Sequence, residues 1–307
     1  MARRNFRNLN GILLLDKPLG QSSNKALQEA RFLFQAAKAG HTGSLDPLAS
    51  GLLPVCFGEA TKVSAFLLDT DKRYLTTATL GAISSTGDAE GELLNRQPVP
   101  DFSDAALAKV LAQFRGAITQ IPPMYSALKK DGQPLYKLAR QGQEIERAAR
   151  NVTIRELHLL ARTADTLSLD VRCSKGTYIR SLVEDIGTAL GCGAYVSMLR
   201  RTEVTPFSAY PMYTLAELYE RFEQGGLAAL NACLLPLDSA LPHLPAVTLS
   251  DAELLRLQQG QKLPLSVLPA EFPADTPLWR VYTPAQVFAG LAEVRGAALC
   301  PKRLLAY

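Results

Sequence analysis

The chain has 307 residues, of which 47% are hydrophobic and 20% charged, and its formal net charge is +4 at pH 7. That apolar share supports a substantial core and excludes a disordered chain, while the mild positive balance permits a polyanionic partner without demanding one. Cys56, Cys173, Cys192, Cys233 and Cys300 are scattered and His41, His158 and His243 lie far apart, so no zinc cluster is expected and the thiols read as reduced and cytosolic. The basic start is followed by only four apolar residues, Ile12 to Leu15, too few for a signal peptide or a membrane span. A soluble, intracellular protein of one large domain plus a smaller one, or of two moderate domains, is expected.

Gly11 to Leu15 reads as a buried strand that ends in the turn Asp16-Lys17-Pro18-Leu19-Gly20. Lys17 there is either a solvated turn residue or a group that meets a phosphate. Ser22-Ser23-Asn24 offers an N-cap for a helix to about Ala37, with Leu27, Ala30, Leu33 and Phe34 at helical spacing. Next comes GHTGSLDPLASGLLPVCFGEATK, residues 40–62, with Asp46 in a loop of Gly43, Ser44, Leu45 and Pro47 ahead of an apolar run. Glycine permits unusual dihedrals and proline fixes one, so this carboxylate is held in a defined turn at the lip of a core. It is a candidate acid, base or nucleophile, or it merely caps the turn.

A helix is expected from Gly58 to about Leu68, and the Thr- and Tyr-rich stretch from Lys72 to Gly81, with Tyr74 near its start, alternates as a strand does. Ser84 to Glu92 reads as a loop, and Ser103 to Phe114 as an amphipathic helix capped by Ser103. The stretch 120–155 carries seven cations (among them Lys129, Lys130 and Arg140) against three acids, with Tyr125 and Tyr136 interleaved. Such a pattern suits a nucleic-acid backbone with unstacked bases, or else a solvated helix face with Leu135, Leu138 and Ala139 inward.

Val152 to Leu160 and Thr166 to Cys173 alternate as two strands, and Ser174 to Gly187 turns from strand into helix near Tyr178 and Arg180. Arg180 keeps its proton and near a core needs an anion, which is a phosphate, Glu184 or Asp46. Gly191 to Phe207 reads as a further strand, and from Thr205 to Asp275 the charge reverses, eight acids against three cations. Prolines at 236, 242 and 245 mark a linker over 236–246, followed by a helix from Ser250 to Gln259 and β-like pieces that form a small, mostly-β domain. G-x-G-x-x-G, Walker A, G-x-S-x-G and H-E-x-x-H are absent, which argues against the dinucleotide, P-loop, α/β-hydrolase and zincin mechanisms.

GILLLDKPLGQSSN, the Asp46 loop, KRYLTTATLG, PPMYSALKKDGQPLYKLAR, GTYIRSLVEDIG and CPKRL occur in one order along the chain. In these the chain resembles, over nearly its full length, the bacterial tRNA pseudouridine-55 synthases, the TruB family. The resemblance implies an α+β catalytic domain, residues 1–235, around a central mixed and largely antiparallel sheet, with an RNA-binding insertion over about 120–155 that moves in the absence of RNA. It implies a PUA-like domain at 247–307. It also implies isomerisation of uridine 55 in the T-arm loop of tRNA, the base being flipped out, detached from C1′ and rejoined through C5. Asp46 would be the catalytic aspartate, with Arg180 its partner. Tyr74 would stack on the base, His41 would hold the rearranged loop, and Tyr178 and Leu199 would line the uridine pocket. Lys17 would face that pocket, while Lys129, Lys130 and Arg140 would meet the RNA backbone.

No cofactor, metal, membrane or obligatory protein partner is expected; the partner is the T-arm stem-loop of tRNA. Two other functions fit the same motifs, a tRNA-folding protein for which catalysis is dispensable and a guide-RNA-dependent pseudouridylase. The segment from Pro122 to Arg140 and the short tail favour the stand-alone kind.

Overall fold

The computed structural model describes residues 6–68, 70–269 and 277–305. Glu271 and Asp275 of the acid-rich stretch, and the first five residues, lie outside them. The chain opens with β1 (Gly11–Lys17), α1 (Ser23–Leu33), β2 (Ala39–His41), β3 (Ala49–Phe57), α2 (Ser64–Leu68) and β4 (Lys72–Leu80). A small hairpin, β5 (Ile83–Ser84) and β6 (Leu93–Leu94), precedes α3 (Asp104–Gln113) and β7 (Gly116–Gln120). A second hairpin, β8 (Lys129–Lys130) and β9 (Gln133–Pro134), leads into α4 (Leu135–Arg140). Then come β10 (Arg150–Arg162), β11 (Thr166–Cys173), α5 (Ile179–Ala189), β12 (Ala194–Val204), β13 (Tyr213–Thr214) and α6 (Leu215–Asn231).

Among the described residues these strands build one nine-stranded sheet in the order β13-β1-β3-β12-β4-β11-β10-β7, with β2 against β3. Only β1 with β13 and β3 with β12 run parallel, so the sheet is mixed and largely antiparallel, as expected. β4 alternates strictly between buried and half-buried positions because one face lies on the core. β3 instead is buried almost throughout and carries Pro54, which has no N–H to give a ladder. It is tolerated because the edge of β3 beside it changes hands: β12 pairs with residues 49–51 and β2 with residues 55–57.

Leu182, Val183 and Ile186 of α5 and Leu107 and Leu111 of α3 pack with Leu167, Leu169 and Val196 of the sheet. Each such side chain contributes about 1.5–3 kcal/mol by leaving water. Leu27 and Ala30 of α1 pack with Leu218 and Leu230 of α6 against β1 and β3. α1 is shorter than its apolar spacing suggests: it stops at Leu33, and Gln35 turns to a positive φ of 52°. The helix expected over 58–68 splits into a 3-10 segment, Gly58–Lys62, and the short α2. The helix α6 is an addition to the expected elements, although Thr214 and Glu217 form a reciprocal capping box at its start.

The tail forms a five-stranded sheet of β14 (Ala246–Thr248), β15 (Leu263–Pro264), β16 (Leu278–Tyr282), β17 (Phe288–Arg295) and β18 (Ala298–Leu304), with α7 (Asp251–Gln258) packed on it. The stretch 236–246 connects the two sheets but is no free tether. Leu237, Ala240, Leu241 and Leu244 are buried in one cluster with Ile12, Leu14, Phe288 and Leu291.

Candidate active site

The loop that bears Asp46 is fastened from both sides. Ser23, the first residue of α1, donates its hydroxyl to Leu45 O (2.8 Å) and accepts from Leu45 N (2.7 Å). Arg201 of β12, 1% exposed, donates Nε to Leu52 O (2.7 Å) and Nη2 to Gly43 O (2.8 Å). Ala49 N closes the turn on Asp46 O at 3.1 Å, and Gly43 takes a φ of +64° that suits glycine. The sheet needs the same arginine close by: a Cβ on Gly51 would stand 2.2 Å from Arg201 O, across the parallel pairing of β3 with β12.

So held, Asp46 meets Arg180, which enters from the first turn of α5 with its side chain 6% exposed. Its Nη2 is 3.0 Å from Asp46 Oδ2, and its Nη1 is 3.7 Å from Asp88 Oδ2 in the loop between β5 and β6. The guanidinium also donates to Thr86 O (2.7 Å) and Tyr125 O (2.6 Å). Its orientation is therefore over-determined. Of the three anions open to Arg180 in sequence, Asp46 is the one at bonding distance. Burial pushes the Asp46 pKa above its ordinary value and the nearby Asp88 adds to that, while Arg180 and Lys17 pull it back.

His41, Asp46, Tyr74, Tyr178, Arg180 and Leu199 all line one cleft of about 580 Å³. Tyr74 is buried and burial raises its phenol pKa, so the ring presents a neutral face. His41 sits at the end of β2 with Nδ1 buried and unpartnered within the protein, and burial and the charge of Arg201 lower its pKa. Arg140 lies beside the cleft, in an adjoining cavity of about 430 Å³ with Tyr125 and Tyr136, its guanidinium 5.7 Å from the centre of the Tyr136 ring.

Three expected residues stand apart. Lys129 and Lys130 are exposed on the β8–β9 hairpin and line neither cavity. Lys17 does not face the pocket. Its side chain is wholly buried and its ammonium turns back onto the carbonyls of Pro18 (2.9 Å) and Gln21 (2.6 Å). Burial brings its pKa down to about 8, opposed by the negative charge of Asp46. It thus braces the turn after β1 behind the site, because a half-paired ammonium in a core takes the nearest carbonyls.

Two further members, Arg201 and Asp88, are absent from the residues expected at the site. Alternation from Leu199 places Arg201 on the same inward face of β12, which is a legible signal. Asp88 gives none, since an aspartate in a Ser- and Gly-bearing loop looks like turn chemistry. Its side chain is buried and accepts from Thr86 Oγ1 (2.6 Å) and Glu90 N (3.1 Å). Among the described residues no group of His, Cys, Asp and Glu is arranged to hold a metal, all five cysteines are free and buried, and no helix is long and apolar enough to cross a membrane.

Three family models tile this chain and define its class as a pseudouridine synthase. TruB family pseudouridylate synthase (N terminal domain) matches residues 31–179, tRNA pseudouridylate synthase B C-terminal domain matches 180–242, and Pseudouridine synthase II TruB, C-terminal, matches 245–305. The chain is 50% identical over 305 residues to tRNA pseudouridine synthase B of Marinomonas sp. (strain MWYL1), covering 99% of this chain and 98% of that one. It is 52% identical over 308 residues to the enzyme of the same name from Pseudomonas fluorescens (strain Pf0-1), with the same coverage. In fold it is similar to a chain in a crystal structure of a Cbf5-Nop10-Gar1 complex, with a TM-score of 0.73 and 26% identity over 98% of this chain and 85% of that one. The chain belongs to the TruB family of pseudouridine synthases, which are isomerases.

Proposed function

We propose that this protein converts uridine 55 in the T-arm loop of tRNA to pseudouridine, with the base flipped into the cleft and Asp46 carrying the chemistry. The observation that supports it best is a single carboxylate, paired with an arginine held at three further points, lining one cleft of about 580 Å³ together with a tyrosine ring.

A base stacked in an RNA loop cannot present C1′ or C6 to a protein group, so it must leave the stack at a cost of a few kcal/mol. A ring such as Tyr74 would return about 1–3 kcal/mol by stacking on it. The bond from N1 to C1′ breaks, a bond from C5 to C1′ forms, and the C5 proton leaves as N1 gains one, so atoms balance without any redox change. An ionised carboxylate serves this path by stabilising or attacking electron-poor carbon. Arg180 keeps Asp46 available in that form against the pull of burial. His41, neutral at physiological pH and with a free Nδ1, is suited to hold an RNA polar group.

The division of labour follows. Residues 1–235 would act as the catalytic domain, and the exposed lysines of the β8–β9 hairpin with Arg140 would meet the phosphates. The C-terminal segment, residues 247–307, would add RNA contacts as a PUA-like domain, all in the cytoplasm where the substrate is found.

The test is a mass-mapped modification assay of the purified protein alone, on a T-arm stem-loop. One uridine is expected to convert. Asp46→Asn is expected to abolish conversion while the RNA still binds. Turnover by Asp46→Asn as fast as the parent's would favour a different reacting group, and a need for added guide RNA would favour the guide-dependent reading.

A further inference from the structure

Gln120 ends β7, at the root of the insertion, and is only 2% exposed although it carries a full amide. That amide is spent on one residue. Nε2 donates to Tyr178 O at 3.2 Å and Oε1 accepts from Tyr178 N at 3.0 Å. A side chain here reads both backbone groups of a residue, as one strand reads the next.

Tyr178 is the N-cap of α5 and makes no side-chain cap bond of its own. Its carbonyl also accepts from Leu182 N (3.1 Å), so it is the N–H above all that leans on Gln120, and Arg180 follows two residues later. Two more bonds join the same elements. Ser181 Oγ donates to Ile121 O (3.2 Å), and Arg180 Nη2 donates to Tyr125 O (2.6 Å). The head of α5 is thus sewn to the first residues of the insertion, and Gln120 supplies two of the four stitches.

We propose that Gln120 is a positioning residue for the isomerisation. It fixes the backbone of Tyr178, and through it the aim of Arg180 at Asp46 and the place of the Tyr178 side chain in the cleft. It touches no substrate. An apolar side chain of equal length would leave the half-buried Tyr178 N–H without this partner, whereas a carboxylate would keep that bond and oppose the carbonyl. This role rests on the reading of Asp46 as the reacting carboxylate.

The experiment compares Gln120→Met, Gln120→Glu and the parent on whole tRNA, with kcat and KM measured from about pH 5.5 to about pH 8.5 and thermal melting followed in parallel. Gln120→Met is expected to lose about tenfold or more in kcat, with KM within about threefold of the parent's. In Gln120→Glu the deficit is expected to narrow as pH falls, because the protonated carboxyl donates to Tyr178 O; Gln120→Met shows no such recovery. Parental kcat in Gln120→Met, a change in KM alone, or a Gln120→Glu deficit that ignores pH would each overturn the role. Asp46→Asn, run alongside, judges the reading of Asp46 separately, since its turnover does not depend on what occupies position 120.

Discussion

The Nη2 of Arg180 stands 3.0 Å from Oδ2 of Asp46 while its Nη1 lies 3.7 Å from Oδ2 of Asp88, so one buried cation is shared between a partly exposed carboxylate and a buried one. The planar fork also serves the carbonyls of Thr86 and Tyr125. A lysine keeps the charge but presents a single point of donors on a shorter reach. Arg180→Lys is therefore expected to lower kcat by about one to two orders of magnitude, with RNA affinity nearly unchanged. Single-turnover pseudouridine formation measures it, and a parental rate would show that the planar fork is not needed.

Arg201 commits its guanidinium to the main chain, holding the carbonyls of Leu52 and Gly43. Arg201→Met would leave both acceptors without that donor and loosen the turn ahead of Asp46. A loss of about 2–4 kcal/mol in unfolding free energy is expected from urea melts. A loss below about 0.5 kcal/mol, the range of surface substitutions, would show that water replaces the guanidinium at no cost.

Two glycines with positive φ should respond very differently to alanine. Gly51 (φ +97°) would put a Cβ 2.2 Å from Arg201 O, whereas Gly142 (φ +72°) has nothing within 4 Å. Gly142→Ala bears only the left-handed penalty of about 1–2 kcal/mol. Gly51→Ala must also force β3 away from β12 and is expected to cost more than about 3 kcal/mol or to yield no soluble protein. Paired melts of the two variants decide it.

Neutralising Lys129, Lys130 and Arg140 together is expected to flatten the slope of log affinity against log salt by about one unit for each phosphate that no longer meets a cation. The kcat at saturating RNA should stay near the parent's, because Lys129 and Lys130 line neither cavity and Arg140 lines only the adjoining one, outside the cleft of about 580 Å³. A salt series on a T-arm hairpin gives the slope, and an unchanged slope would put these charges away from the RNA.

Glu184, one turn beyond Arg180, has its pKa raised from 4.5 to about 7, first by burial, with Asp185 and Asp88 adding to it and Arg180 opposing it. The folded state thus keeps a proton that the unfolded chain releases above about pH 4.5, so stability declines as pH rises from there towards about 7 and levels beyond. Glu184→Gln should flatten that decline. Melting temperatures at about pH 5 and about pH 8 test it, and an undiminished decline in the variant would assign the dependence to other groups.

How much of this can be read from residues alone depends on how local the cause is. The period of β4, the caps at Ser22 and Ser103, and the turn residues around Asp46 are local in sequence and legible there, whereas the bonds from Ser23 and Arg201 that hold the Asp46 loop are not. Periodicity carries α1 too far because Phe34 and Ala36 are apolar and buried yet lie past the last helical turn, where tertiary packing sets the backbone. The direction of Lys17 is hidden, since nothing in the sequence says that the carbonyls of Pro18 and Gln21 converge on its ammonium. The grip of Arg201 on Gly43 spans 158 residues, and that of Arg180 on Thr86 spans 94; such pairings exist only once the sheet is assembled.

The insertion leaves the sheet after Gln120 and returns at Arg150, and these two residues are direct partners across β7 and β10. Its two ends are therefore as near as neighbouring strands permit, and whatever lies between closes one hairpin whatever its length. Loop entropy grows only slowly with length, so residues can be added to or removed from this arm without shifting the register beneath it. Beyond Tyr125, whose carbonyl holds Arg180, the arm can be exchanged as a cassette while Asp46 and Arg180 keep their places in the frame.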